Sequence, residues 1–121
     1  MTIRKVLIVD DSKTESMVLA EMLKMHGYLV TSAQDGEQAL EVMAIEKPEL
    51  ILLDVVMPGR NGFQLTRVIS RHPEYADIPI ILCSSKSLET DIVWGLRQGA
   101  KDYITKPVSE PELLAKINAL A

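Results

Sequence analysis

Cysteine and long apolar runs are both scarce in this sequence. Cys83 is the only cysteine among 121 residues, which excludes an internal disulfide and a metal cluster built on cysteine. The first apolar run covers only residues 6–9, which is too short for the core of a signal peptide or for a membrane span. These absences predict a cytoplasmic protein that has no membrane partner.

Charge of one sign is not in large excess either. The chain has 17 acidic and 13 basic residues, a formal net charge of −4 and a pI near 5.1. Nonspecific binding to nucleic acid or anionic lipid requires a basic surface, so we expect no nucleic acid as a partner. Hydrophobic residues make up 47% of the chain, as in a globular protein, and the length suits one domain over residues 1–121.

Short apolar runs alternate with segments of helical period five times along the chain. The apolar runs are residues 6–9, 28–33, 50–53, 80–83 and 103–105. The segments of helical period cover about residues 13–25, 37–45, 63–70, 88–98 and 110–120. Strand–helix alternation of this kind predicts a parallel sheet with helices on both faces.

The composition of the five runs predicts their order in the sheet. The first, third and fourth runs are apolar at every position, as expected for strands that are covered on both faces. The second and fifth runs are mixed, which is typical of edge strands. Right-handed crossovers then give the order 2-1-3-4-5, the flavodoxin-like (βα)5 arrangement of a doubly wound α/β fold. In this fold a ligand binds where the strand order reverses, between strands one and three.

Polar side chains stand at four of the predicted strand ends. Asp10 and Asp11 follow strand one, Asp54 follows strand three, Ser84 ends strand four and Lys106 follows strand five. Unit charges about 4 Å apart repel by roughly 4 kcal/mol per pair at an effective dielectric of about 20, so three carboxylates need a counter-charge, a raised pKa or a metal ion. Hard oxygen ligands favour Mg²⁺, and the lysine could balance both the carboxylates and a phosphoryl group.

Four motifs stand at or just beyond the ends of the first, third and fifth strands. They are IVDDS at residues 8–12, LDVVMP at 53–58, the glycine-bounded 59–62, and GAKDYITKP at 99–107. Together they resemble the receiver domain of two-component response regulators, from about residue 4 to residue 120. The resemblance implies that the receiver fills the chain, with no separate output domain, and that signalling passes through a protein surface.

The resemblance also implies how a phosphoryl group would be bound. Asp54 would accept it from the phosphohistidine of a partner histidine kinase. Asp11, Asp54 and the backbone carbonyl of Val56 would hold Mg²⁺, while Asp10 would act on the ion largely through water. Lys106 would contact a phosphoryl oxygen. The only catalysis implied is phosphoryl transfer to the chain itself and its hydrolysis, so the protein is not expected to be an enzyme.

A switch pair is implied at the ends of the last two strands. Ser84 would move toward the phosphoryl group while the ring of Tyr103 turns inward, and the bond between Lys106 and Pro107 is expected to be cis. Serine stands at position 84 where threonine is more usual in the family. Val56 occupies a variable position, and its apolar side chain cannot orient an attacking water, so we expect slow hydrolysis of the acyl phosphate.

The family generally signals through its fourth helix, fifth strand and fifth helix. Trp94, the only tryptophan, is predicted to lie on the fourth helix, away from an inward stripe. That stripe is formed by Leu88, Ile92, Val93 and Leu96. We therefore expect Trp94, together with Tyr103, to contact an unidentified output protein, with the receiver acting as a monomer.

Residues 93–100, VWGLRQGA, resemble the stand-alone receivers of chemotaxis-like systems that control type IV pilus twitching motility. A phosphate sink in the same pathway is the alternative within the family. A flavodoxin-like carrier of FMN is an alternative of another class, although Asp10 and Asp11 would repel the FMN phosphate. An aspartate-nucleophile phosphatase is a third, although it usually carries an Asp-x-Asp pattern that Asp10-Asp11-Ser12 does not match.

Overall fold

Five strands alternate with five helices in the computed structural model, which describes residues 2–120. The strands are β1 (Lys5–Val9), β2 (Leu29–Ala33), β3 (Leu50–Asp54), β4 (Ile80–Ser84) and β5 (Asp102–Thr105). The helices are α1 (Lys13–Met25), α2 (Gly36–Ile45), α3 (Gly62–Arg71), α4 (Glu89–Gln98) and α5 (Glu110–Leu120). No predicted boundary differs from these by more than one residue. Among residues 2–120, no helix has both the length and the apolar content needed to cross a membrane.

The five strands form one parallel sheet in the order β2-β1-β3-β4-β5, which confirms the predicted topology. β3 and β4 are buried at every position, whereas the edge strand β2 is mostly exposed. Alternate residues of each central strand therefore pack into two separate cores, one on each face of the sheet, because neighbouring side chains point to opposite faces. The fold thus brings the carboxyl ends of all five strands to one edge of the sheet.

Each face of the sheet is covered by its own helices. Leu7 and Val9 of β1 pack in a core with side chains of α2 and α3, such as Met43 and Leu65. Val6 and Ile8 of the same strand lie in the other core. Side chains of α1 and α5 complete that second core; they include Leu19, Leu23, Leu113 and Ile117.

The inward side of α4 differs from the predicted stripe. The exposed apolar side chains of this helix and its N-cap are Leu88, Val93, Trp94 and Leu96. Gly95 is the buried residue, and Ile92 packs partly against the core. A Cβ at Gly95 would lie 2.6 Å from Leu82 Cδ1 and 3.4 Å from Tyr103 Cδ2. The helix therefore contacts the core through Gly95, and most of the side chains predicted to face inward are exposed. Trp94 is exposed, as predicted.

Two glycines occupy equivalent places at the starts of α2 and α3 but meet different surroundings. A Cβ on Gly62 would overlap the backbone carbonyl oxygen of Asp54 and lie 2.7 Å from Val55 Cα. The Gly62 amide also donates to the Val55 carbonyl at 2.8 Å. At Gly36 the nearest atom would be Leu65 Cδ1 at 3.5 Å, an ordinary van der Waals contact. The close approach of α3 to the end of β3 therefore requires glycine at position 62.

We predict that Gly62→Ala destabilises the protein by about 3 kcal/mol, at the upper end of the cost of overpacking, because backbone atoms cannot yield as a side chain can. Gly36→Ala is the matched control and should stay within about 0.5 kcal/mol of wild type. Urea unfolding followed by circular dichroism measures both. Equal stabilities of the two variants would contradict the assigned role of Gly62.

Candidate functional site

Two aspartates and a lysine meet at the carboxyl edge of the sheet, as the strand order predicted. Asp10 directly follows β1 and Asp54 ends β3; both are buried, with 3% and 8% of their surface exposed. The ammonium group of Lys106, just beyond β5, lies 3.2 Å from Asp10 Oδ2 and 3.6 Å from Asp54 Oδ2. One cation therefore lies between two buried carboxylates.

A third carboxylate reaches the same ammonium group, and it belongs to Glu15 in the first turn of α1. Glu15 Oε2 is 2.9 Å from Lys106 Nζ, the shortest of the three ion pairs. Carboxylate oxygens of Asp10, Glu15 and Asp54 lie within 4.8 Å of one another. Asp11, by contrast, is exposed and is not a member of this group. The prediction that three aspartates converge is therefore correct only for Asp10 and Asp54: Glu15 is the third carboxylate of the cluster, and the exposed side chain of Asp11 lies outside it.

Sequence reasoning missed Glu15 although a signal was available. Ser12 and Glu15 have the spacing of a capping box, which places a glutamate at the third residue of a helix. Ser12 caps α1, since its Oγ accepts from the Glu15 amide at 3.3 Å. Because α1 starts just beyond the end of β1, its first turn lies beside the carboxyl edge. An acidic residue in that turn was therefore a candidate for the site.

The site shifts the pKa of both kinds of group. Burial raises the pKa of Asp54, and the charge of Asp10 raises it further, while Lys106 acts in the opposite direction. For Lys106, burial lowers the pKa, but Glu15, Asp54 and Asp10 outweigh it and leave the pKa above its usual value. Lys106 therefore stays protonated at neutral pH. Additional positive charge at the site would stabilise the ionised form of Asp54, which burial disfavours.

The predicted switch residues lie next to this cluster. Ser84 is buried at the end of β4, and its Oγ accepts from the Lys86 amide at 3.1 Å. The Tyr103 hydroxyl donates to the Lys86 carbonyl at 2.7 Å. The Lys106 amide donates to the Ser84 carbonyl at 2.8 Å, and the Lys106–Pro107 bond is cis, as predicted.

Tyr103 does not belong to an exposed partner surface, and this corrects the prediction. Only 6% of its surface is exposed, because the ring packs beneath α4 beside Gly95. Burial raises the pKa of Tyr103, so its hydroxyl remains a donor at neutral pH. Trp94 on the same helix is half exposed. Val56, two residues beyond Asp54, also presents its side chain to solvent.

Comparison with known proteins identifies the class to which this fold and site belong. The sequence pattern of the response regulator receiver domain matches residues 6–118, and the chain belongs to this family. It is 50% identical over 116 residues to Protein PilH of Pseudomonas aeruginosa, covering 96% of each chain.

Solved receiver structures agree with this assignment. The receiver domain of a signal transduction histidine kinase from Syntrophus aciditrophicus has a TM-score of 0.89 at 34% identity, covering 97% of this chain and 89% of that one. Chemotaxis protein CheY4 of Vibrio cholerae has a TM-score of 0.91 at 28% identity, covering 99% of this chain and 100% of that one. The chain is therefore a receiver of two-component signalling, and the family that it matches is neither that of the flavodoxins nor that of the aspartate-nucleophile phosphatases.

The raised pKa of Asp54 predicts a pH-dependent effect on stability. A carboxyl whose pKa is higher in the folded state favours folding when protonated, so its contribution falls as pH rises through that pKa. Asp54→Asn removes this loss. In metal-free buffer the melting temperature of Asp54→Asn should exceed that of wild type, by a margin that grows as the pH rises above the ordinary pKa of an aspartate, about 4.

Asp77→Asn provides the control, because Asp77 is an exposed carboxylate just before β4, at the opposite edge of the sheet. Differential scanning calorimetry at several pH values measures the three proteins. A melting temperature of Asp54→Asn that is at or below that of wild type at pH 7 would contradict the predicted cost of burying the Asp54 charge.

Proposed function

We propose that this receiver accepts a phosphoryl group on Asp54 from the phosphohistidine of a histidine kinase. The observation that carries the proposal is the buried Asp54 carboxylate with the Lys106 ammonium 3.6 Å away. An Asp54 oxygen forms a bond to phosphorus as the phosphorus–nitrogen bond breaks, and the released imidazole takes up a proton from water. Lys106 stabilises the negative charge on the phosphoryl oxygens during this transfer.

The chemistry of the site fits Mg²⁺. The buried carboxylates of Asp10 and Asp54 and the exposed carboxylate of Asp11 offer only hard oxygen ligands. The pKa of Asp54 is raised in spite of the nearby Lys106 ammonium group, so the site can accept more positive charge. Asp10, Asp11, Asp54 and the carbonyl of Val56 would hold the ion, with Asp10 acting largely through water. When bound, the ion neutralises charge on the phosphoryl oxygens.

The response of the chain to phosphorylation is proposed to start at Ser84. A phosphoryl group adds about −1.5 to −2 charges and three acceptor oxygens. The Ser84 hydroxyl, now bonded to the Lys86 amide, is placed to turn toward such an acceptor. Because Tyr103 is bonded to the Lys86 carbonyl, movement of this loop acts directly on the ring beneath α4. A shift from 1:99 to 99:1 needs about 5.5 kcal/mol, which a few charge-assisted hydrogen bonds approach.

Output then passes through the exposed apolar face of α4, centred on Trp94. An exposed tryptophan next to other apolar side chains favours a transmitting receiver over a phosphate sink, since a sink needs no output contact. The similarity to Protein PilH, to CheY4 and, over residues 93–100, to twitching-motility receivers supports chemotaxis-like control of type IV pili. We place this activity in the cytoplasm, with a monomeric receiver.

The central prediction is that acetyl phosphate and Mg²⁺ add one phosphoryl group to the protein. Intact-mass spectrometry should show this mass on wild type and not on Asp54→Ala. Omission of Mg²⁺ with a chelator present should reduce the modified fraction strongly. Unmodified wild type after this treatment, or equal modification of Asp54→Ala, would disprove the proposal.

The exposed Val56 side chain generates a second prediction. Its apolar atoms cannot hold an attacking water, whereas an amide at the same place can, so Val56→Asn should shorten the lifetime of the acyl phosphate severalfold. Lifetimes are measured by mass spectrometry after removal of acetyl phosphate. Val68→Asn, a change of the same chemistry on the exposed surface of α3, should leave the lifetime unchanged. Equal lifetimes in wild type and Val56→Asn would remove Val56 from the mechanism.

A further inference from the structure

The closest partner of Lys106 is a carboxylate to which the phosphotransfer chemistry gives no role. Lys106 Nζ lies 2.9 Å from Glu15 Oε2, against 3.2 Å from Asp10 and 3.6 Å from Asp54. The Lys106 side chain is 13% exposed, whereas that of Glu15 is 52% exposed. The ammonium group therefore lies closer to the exposed Glu15 carboxylate than to the proposed phosphoacceptor, Asp54.

The start of α1 explains why Glu15 is free to bind the lysine. In a capping box the third helical residue bonds back to the amide of the cap residue, as Gln64 does to Asn61 at 2.9 Å in α3. In α1 the corresponding amide, that of Ser12, donates instead to Asp10 Oδ1 at 2.9 Å. Asp10 thus takes the place of Glu15 in the cap, and the Glu15 carboxylate binds Lys106.

We propose that Glu15 is a positioning residue that competes with the phosphoryl group on Asp54 for Lys106. The inference rests on the proposed phosphorylation of Asp54. In the unmodified receiver Glu15 holds the ammonium group 3.6 Å from Asp54, beyond hydrogen-bond distance. When the phosphoryl group binds, Lys106 moves to it, and the half-exposed Glu15 carboxylate is released into water at small cost. Glu15 thereby weakens binding of the phosphoryl group and favours the unmodified state.

The size of the effect follows from the exposure of Glu15. Ion pairs with one well-solvated partner contribute about 0.2–1 kcal/mol, so removal of the competitor should strengthen phosphoryl binding by up to roughly fivefold. Loss of the pair should also change the melting temperature little. A modest change in affinity without a change in stability is therefore the expected signature.

Three variants separate the contact from the charge. Glu15→Gln removes the charge, and Glu15→Asp keeps the charge but withdraws it by one methylene from Lys106. Glu21→Gln is the matched control, because Glu21 is an exposed glutamate further along α1. The probe is beryllofluoride, which mimics a phosphoryl group on aspartate, titrated at saturating Mg²⁺ and followed by ¹⁹F NMR.

Competition through the contact predicts about twofold to fivefold tighter beryllofluoride binding for Glu15→Gln. Glu15→Asp should also bind more tightly than wild type, and Glu21→Gln should match wild type. Unchanged affinity of Glu15→Gln overturns the inference, as does a Glu15→Asp variant that behaves as wild type, since the charge alone would then act. Weaker binding by both Glu15 variants would make Glu15 a direct supporter of the site and also overturns it.

These outcomes are distinct from a failure of the proposed function. If Asp54 is not the phosphoacceptor, wild type itself binds no beryllofluoride and gains no mass from acetyl phosphate. If only the role of Glu15 is wrong, wild type binds the probe and the Glu15 variants fail to bind it more tightly. Melting temperatures of all variants, measured beside the titrations, show whether each one is folded.

Discussion

The ammonium group of Lys106 is the counter-charge on which the carboxyl edge of the sheet depends. Two buried aspartates face each other there, and without a cation their repulsion would act against the packing of β1 beside β3. Lys106 meets this need from just beyond β5, although β3 and β4 both lie between β5 and β1 in the sheet. The backbone contributes as well, because the Lys106 amide binds the Ser84 carbonyl and continues the pairing of β5 with β4. Lys106 thus has two roles: its side chain balances the charge of the aspartates, and its backbone amide holds the end of β5 beside the end of β4.

The strand ends could be predicted because each depends on a property that is visible in sequence. Unbroken apolar runs identify buried strands, and the order of a parallel sheet brings their carboxyl ends together. Asp10, Asp54 and Lys106 are fixed to those ends by backbone alone, so their meeting needs no knowledge of side-chain conformation. The same reasoning holds for Ser84, which the structure buries at the end of β4.

The features that sequence reasoning missed depend on side chains and on close packing. The capping-box spacing places Glu15 in the first turn of α1, but the contact between Glu15 and Lys106 was not predictable from it. That spacing favours a bond from the Ser12 amide to Glu15, and Asp10 accepts that bond instead. The prediction of which side of α4 faces the core was wrong, because the periodicity of apolar residues cannot reveal a helix that contacts the core through a glycine. Gly95 lets the helix approach Leu82 and Tyr103 closely, and the larger side chains are turned outward.

This packing gives the site a short physical connection to the exposed face of α4. Lys106 binds the backbone of Ser84, the hydroxyl of Ser84 binds the Lys86 amide, and the Lys86 carbonyl binds Tyr103. The Tyr103 ring in turn packs against α4 at Gly95, the residue that follows Trp94. Because Gly95 has no side chain to absorb a displacement, a shift of the ring acts on the helix backbone itself. The hydrogen bonds of one loop are therefore linked to the helix that carries the exposed tryptophan, through a Tyr103 ring that belongs to the core on that face of the sheet.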